Sequence, residues 1–236
     1  MNVFRWTGVW IVDHVVASRW QFRHLSHHDI PSAFSEGTAA PVLLLPGVYE
    51  PWEFLLDIGE RLNELGHPVH VLPELGYNRL PITDTARLVG HYLVDRELRG
   101  VVIVGHSKGG LVGKQLMVTA EIGDRIDRML AINSPFSGSR FARFAPGATL
   151  RAFSPVDRTL TALASNLEAN SRIVSIFSSL DPVIPEGSRL EGAVNIELPL
   201  TGHFLPLWED ELLEVVVRTV EDERPGTTQG DAAAGE

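Results

Sequence analysis

Six short apolar runs punctuate the chain from residue 42 onward: VLLLP at 42–46, VHVLP at 69–73, VVIVG at 101–105, MLAIN at 129–133, IVSIF at 173–177 and VNIEL at 194–198. Most are continuous rather than alternating. A strand with one wet face alternates apolar with polar, so continuous runs rich in Val, Ile and Leu suit parallel strands covered on both faces. Between them lie helix-like stretches. Residues 51–65 open with proline and acidic residues and end at Gly66, 83–98 start with TDT and end before Gly100, and 107–122 stop at Gly123. These ends follow helix polarity. Strand and helix alternating in this way predict an α/β fold: a mostly parallel, doubly wound sheet of about six or more strands.

Two intervals fall outside the rhythm. Residues 134–172 are longer than a crossover needs and carry Phe136, Phe141, Phe144 and Phe153. A helix with a long surface loop would fit, but loops of this length in compact domains are usually functional, so a lid over a pocket is the expectation. Residues 1–40 contain Trp6, Trp10 and Trp20 with Arg5, Arg19 and Arg23. A helix packed across the domain is expected there, and a helix lying on a membrane surface also fits. The longest apolar run in this segment, residues 9–12, is broken by Asp13 and His14. It is too short for the roughly 7–15 residues of a signal-peptide core or the 20 of a spanning helix, which points to a cytoplasmic protein. The domain is expected over 41–220. The tail from residue 221 lacks apolar content and is expected to be disordered.

Composition removes several functions. The 236 residues include no cysteine, which excludes thiolate catalysis, disulfides and cysteine-based zinc sites. Twenty basic against thirty acidic residues give a net charge of −10. With no Lys/Arg cluster, such a chain has no electrostatic footprint for nucleic acid.

The third run leads into Gly105-His106-Ser107-Lys108-Gly109, which fits the pattern G-x-S-x-G. Alone the pattern is weak, but here a strand precedes it and a helix follows. A serine on so sharp a turn needs small residues two places either side, so that strand and helix can approach closely. The turn exposes the hydroxyl and sets the helix N-terminus beneath it, where the dipole favours an oxyanion. Gly110 leaves further room. Rival glycine motifs fail: GLVGKQ has the wrong spacing for a phosphate-binding loop, and no G-x-G-x-x-G occurs.

A serine nucleophile needs a base, and the base an orienting acid, in the chain order serine, acid, histidine, each after a strand. Asp181 follows the fifth run and His203 the sixth. Asp181 could be a plain turn former and His203 a helix cap. Order and strand-end placement favour the triad Ser107, Asp181 and His203. Asp157 is the rival acid but falls inside the expected lid. His106 neighbours the serine and should face elsewhere. The oxyanion donors should be the backbone N–H groups of Lys108 and of Val48, which follows Gly47 after the first strand. The Lys108 side chain is expected to be solvated.

LLLPGVYE, VGHSKGGLVG, INSPFSGS, LDPVIP and TGHFLPL together resemble the α/β-hydrolase superfamily, and within it the compact bacterial lipases and esterases. The resemblance covers residues 41–220. It places nucleophile, acid and base on Ser107, Asp181 and His203, and oxyanion donors on Val48 and Lys108. Pro46-Gly47 stands where many members have His-Gly, and residues 1–40 match no motif. The implied function is hydrolysis of a small-molecule or lipid carboxylic ester without metal or organic cofactor. Acyl transfer or thioester hydrolysis by the same triad is the alternative, and a non-catalytic interaction protein on the same fold is a more distant one. Phe136, Phe141 and Phe144 are the candidates for an apolar substrate pocket.

Overall fold

The computed structural model describes residues 3–24 and 29–222. Six parallel strands form one open sheet: β1 (Val42–Leu45), β2 (Val69–His70), β3 (Val101–His106), β4 (Ile126–Ile132), β5 (Ile173–Leu180) and β6 (Val194–Thr201). Their order is β2-β1-β3-β4-β5-β6. All six apolar runs are strands.

The continuous apolar runs have a direct explanation in the packing. Leu43, Leu45, Val101, Ile103, Met129 and Ala131 belong to one buried cluster, and Val42, Leu44, Val102, Val104, Leu130 and Ile132 to another. Successive residues therefore serve opposite faces of the sheet. The first cluster includes residues of helices α3 (Ile82–Asp95), α4 (Lys108–Met117) and α6 (Arg158–Ser165). The second includes residues of α2 (Leu56–Glu64) and α7 (Asp210–Glu221). Ala17 of the N-terminal helix α1 (Val3–His24) joins that second cluster. Among the described residues no strand precedes β1, and no helix is long and apolar enough to cross a membrane.

Residues 134–172 contain short elements only: a 3₁₀ turn (Ala142–Phe144), helix α5 (Ala148–Arg151), α6 and a second 3₁₀ turn (Glu168–Arg172). Asp157, the rival acid, caps α6, accepting hydrogen bonds from the amides of Thr159 and Leu160 at 2.9 and 3.2 Å. At the C-terminus the expected disorder starts too early by two residues. Glu221 ends α7 and its carboxylate meets His67 Nε2 at 2.8 Å. The rest of the tail lies outside the described residues.

The strand order locates the cleft. The chain passes from β1 outward to β2, then crosses back to lay β3 on the other side of β1, so the connections diverge between β1 and β3. A crevice at the C-terminal ends of two such strands is where open α/β sheets bind ligands. Leu45 of β1 is paired with Gly105 of β3, so the loops bearing Val48 and Ser107 leave the sheet side by side.

The first turn of α4 packs hard against this point. A Cβ on Gly109 would lie 1.9 Å from the Leu45 carbonyl oxygen, and one on Gly105 2.7 Å from the backbone of Gly109 and Gly110. By contrast a Cβ on Gly90 within α3 would make ordinary contacts of 3.6–3.7 Å with Ile122 and Leu116. Gly109→Ala is therefore expected to destabilise the protein by at least ~1–3 kcal/mol through overpacking. Gly90→Ala should stabilise it by ~0.5–1 kcal/mol, because alanine has less backbone entropy to lose in a helix. Urea denaturation of both variants beside the wild type reads the two opposite signs.

Candidate active site

Ser107 closes the turn between β3 and α4 with φ 51° and ψ −116°. For a residue with a Cβ this conformation is strained, and it persists only where surroundings over-determine it. They do so here. The Ser107 amide donates to Ile132 O at 2.8 Å, and the glycine contacts leave α4 no alternative seat. Gly110 serves the next layer, since a Cβ there would fall 2.0 Å from Ser134 Oγ.

The sixth and fifth strands bring the two partners. His203 Nε2 lies 3.0 Å from Ser107 Oγ, and His203 Nδ1 lies 2.7 Å from Asp181 Oδ2. A carboxylate only accepts, so Nδ1 carries the hydrogen and Nε2 is left to accept from the serine hydroxyl. Asp181 is also a turn former: its Oδ1 accepts from the amides of Val183 and Ile184 at 2.8 and 3.0 Å. The carboxylate is thereby oriented by its own loop. All three side chains are buried. Burial works against a charged imidazole, but the Asp181 carboxylate, its hydrogen bond, and the charges of Glu50 and Asp13 outweigh it. The His203 pKa is raised above the ordinary histidine value.

Four further residues that the sequence reading did not assign to the site hold it in place. Asn133, at the end of β4 with φ 44°, accepts from the Ser178 amide at 2.9 Å and donates to the His203 carbonyl at 3.0 Å. It ties the acid-bearing strand to the histidine loop. His106, expected only to face away from the serine, sends Nε2 to the same His203 carbonyl at 3.0 Å and Nδ1 to Glu50 Oε2 at 2.8 Å. Glu50 folds back over Gly47 and accepts from its amide at 2.7 Å; a Cβ on Gly47 would meet that carboxylate at 2.4 Å. Asp13 of α1 accepts from the amides of His203, Phe204 and Leu205. The sequence did carry a mark of this last residue: a carboxylate in the middle of an apolar helix run.

Val48 follows Gly47, and Lys108 follows Ser107. Among the described residues no protein group accepts a hydrogen bond from either amide. The Lys108 side chain corrects the expectation of a solvated amine. It is 1 % exposed and donates to Asn78 O and Oδ1 at 2.7 Å and to Leu80 O at 2.6 Å. Burial pushes its pKa down to about 7, while three close oxygens match the three N–H donors of the charged form. It staples α4 to the loop before α3.

A cavity of ≈ 800 Å³ opens above Ser107 and His203. Of the three candidate phenylalanines, only Phe141 lines it. Phe136 is buried in the first core cluster, and Phe144 is 77 % exposed. The apolar walls are instead Phe153, Leu150, Phe54, Phe204 and Ile184, with Trp10, His14 and Ala17 of α1 closing one side. Periodicity could not sort these, because the segment 134–172 has no single element long enough to define a face.

A family model described as a PGAP1-like alpha/beta domain matches residues 87–194, which include Ser107 and Asp181. No curated protein matches the sequence. Solved structures do share its fold. A monoacylglycerol lipase from Paleococcus ferrophilus superposes with a TM-score of 0.58 at 15% identity, over 78% of this chain and 96% of the lipase. A Bacillus licheniformis lipase in mature form gives 0.56 at 13% identity, over 82% and 94%. An enol-lactonase from Burkholderia xenovorans gives 0.56 at 17% identity, over 79% and 93%. With an open sheet of six parallel strands in the order β2-β1-β3-β4-β5-β6 and these structural neighbours, the chain has the α/β-hydrolase fold.

Proposed function

We propose that the protein is a serine hydrolase of carboxylic esters with an apolar acyl or alcohol part. The observation that carries this reading is the unbroken chain Ser107 Oγ–His203–Asp181 opening into the ≈ 800 Å³ cavity. His203 takes the hydroxyl proton as Ser107 attacks the ester carbonyl, while Asp181 holds the imidazole tautomer and steadies its charge. The amides of Val48 and Lys108, with no protein acceptor of their own, would receive the oxyanion. His203 then protonates the departing alcohol and activates the water that releases the acyl group from Ser107.

The walls favour an uncharged substrate. Among the described residues lining the cavity there is no lysine or arginine, and Glu50 is the one carboxylate. Pockets of this size and apolarity bury most of a small ligand and orient it with few polar groups. Lipase and lactonase activities among the structural neighbours are compatible with that choice.

A series of chromogenic esters of increasing acyl length, run with wild type and Ser107→Ala, tests the reading. Turnover by the wild type that falls by about 10⁴-fold or more in Ser107→Ala is expected. Inactivity of the wild type across all acyl lengths would refute it. The acid limb of kcat/KM offers a second check. His203 must be neutral to act as base, and its pKa is raised, so activity should be lost on acidification at a pH above the ~6.5 of an ordinary histidine.

A further inference from the structure

Asp13 is fully buried, yet among the described residues no lysine or arginine pairs with it. Its partners are three consecutive backbone amides: Oδ2 accepts from His203 N at 3.0 Å, and Oδ1 from Phe204 N and Leu205 N at 2.8 and 2.9 Å. These amides lead into the short 3₁₀ turn Leu205–Trp208, whose first donors have no partner of their own within the turn. Gly202 makes the approach possible, since a Cβ there would stand 2.6 Å from Asp13 Oδ1.

We propose that Asp13 is a positioning residue for His203: its carboxylate fixes the backbone of the histidine turn, so that helix α1 holds the imidazole in line between Ser107 and Asp181. The proposal rests on the ester-hydrolase reading and adds to it a part for the N-terminal helix. His14, beside Asp13 on α1, binds the same turn into the cavity wall. His14 meets the Phe204 ring edge-on at 5.6 Å, and Phe204 meets the His203 ring edge-on at 4.9 Å. Trp10, stacked on His14 at 4.1 Å, lines the cavity. One helix thus sets both the histidine and one side of the pocket.

A tether that only docked α1 would leave the chemistry of the folded enzyme alone. Asp13 does more, because its negative charge, held at the His203 amide, adds to those that favour the protonated ring. The groups around the imidazole are Asp181 at the end of β5, Glu50 after β1, His106 and Ser107 at the end of β3, and Asp13 on α1. Removing one carboxylate charge from this set makes the imidazolium less favourable.

The experiment uses the full chain with Asp13→Ala and Asp13→Asn. Two readouts are taken: the rate at which an alkyl fluorophosphonate labels Ser107, and the pH profile of kcat and KM on a short-chain chromogenic ester. For Asp13→Ala, labelling and kcat should fall by about 10–100-fold with KM within about threefold, as expected of a displaced base. Asp13→Asn keeps one acceptor oxygen but turns an NH₂ toward amide donors. It should recover part of the loss, and its acid limb should move to lower pH. If Asp13→Ala does not fold by circular dichroism, Asp13→Asn decides alone. A folded variant that labels at the wild-type rate with an unmoved acid limb overturns the proposal while leaving the ester-hydrolase reading intact. A wild type that is neither labelled nor active on esters overturns both.

Discussion

The backbone of His203 is the point on which the site converges. Its amide is held by Asp13 at 3.0 Å, its carbonyl by His106 and Asn133 at 3.0 Å each, and its ring by Asp181 and Ser107 at 2.7 and 3.0 Å. Those contacts arrive from α1, β3, β4 and β5 and from the turn before α4. A residue fixed at amide, carbonyl and both ring nitrogens has almost no rotational freedom left, and the entropy of ordering it is spent during folding rather than at reaction. Because each partner is itself buried, the arrangement depends on the whole sheet being formed.

The serine turn is the complementary constraint. A side chain at φ 51° and ψ −116° is unfavourable by itself, and it is maintained by packing that has nothing to do with chemistry: α4 seated against Leu45, Met129 and Ser134 through three glycines, and Lys108 reaching the Asn78–Leu80 loop. Strain at Ser107 is thus offset by the packing of α4 against the sheet and by the Lys108 staple. Lys108 illustrates the division of labour. Its backbone amide has no protein acceptor among the described residues, while its ammonium is consumed in holding the helix.

Much of this was legible in the sequence, and the reasons are local. Each of the six strands appears as an apolar run because both sheet faces are covered, and Ser107 is marked by glycines that the Leu45 carbonyl and the α4 backbone require. Asp181 and His203 could be named because both follow strands. What stayed hidden depends on tertiary approach. Nothing near Glu50 in the sequence says that its carboxylate folds over Gly47 to reach His106, and nothing near Asn133 says that it spans to β5 and the histidine loop. The Lys108 side chain was misread for the same reason: its acceptors lie 28 and 30 residues away. Phe136 and Phe144 were misplaced because 134–172 folds as short turns, in which neighbouring aromatics face core, cavity and solvent in no fixed order.

The N-terminal helix changes how the fold and the site relate. The doubly wound sheet brings Ser107, Asp181 and His203 together from its own strand ends, and the switch point between β1 and β3 supplies the crevice. Yet here the histidine turn is capped by a carboxylate from outside the sheet, and one wall of the cavity comes from the same helix. The two roles are mechanically linked, since Asp13 and His14 are adjacent and bind adjacent residues, His203 and Phe204. A shift of α1 that widened the pocket would pull on the histidine amide, because the same helix carries Trp10 and His14 in the cavity wall and Asp13 on the turn. The position of the cavity wall and the alignment of His203 are then joined through three hydrogen bonds to one carboxylate.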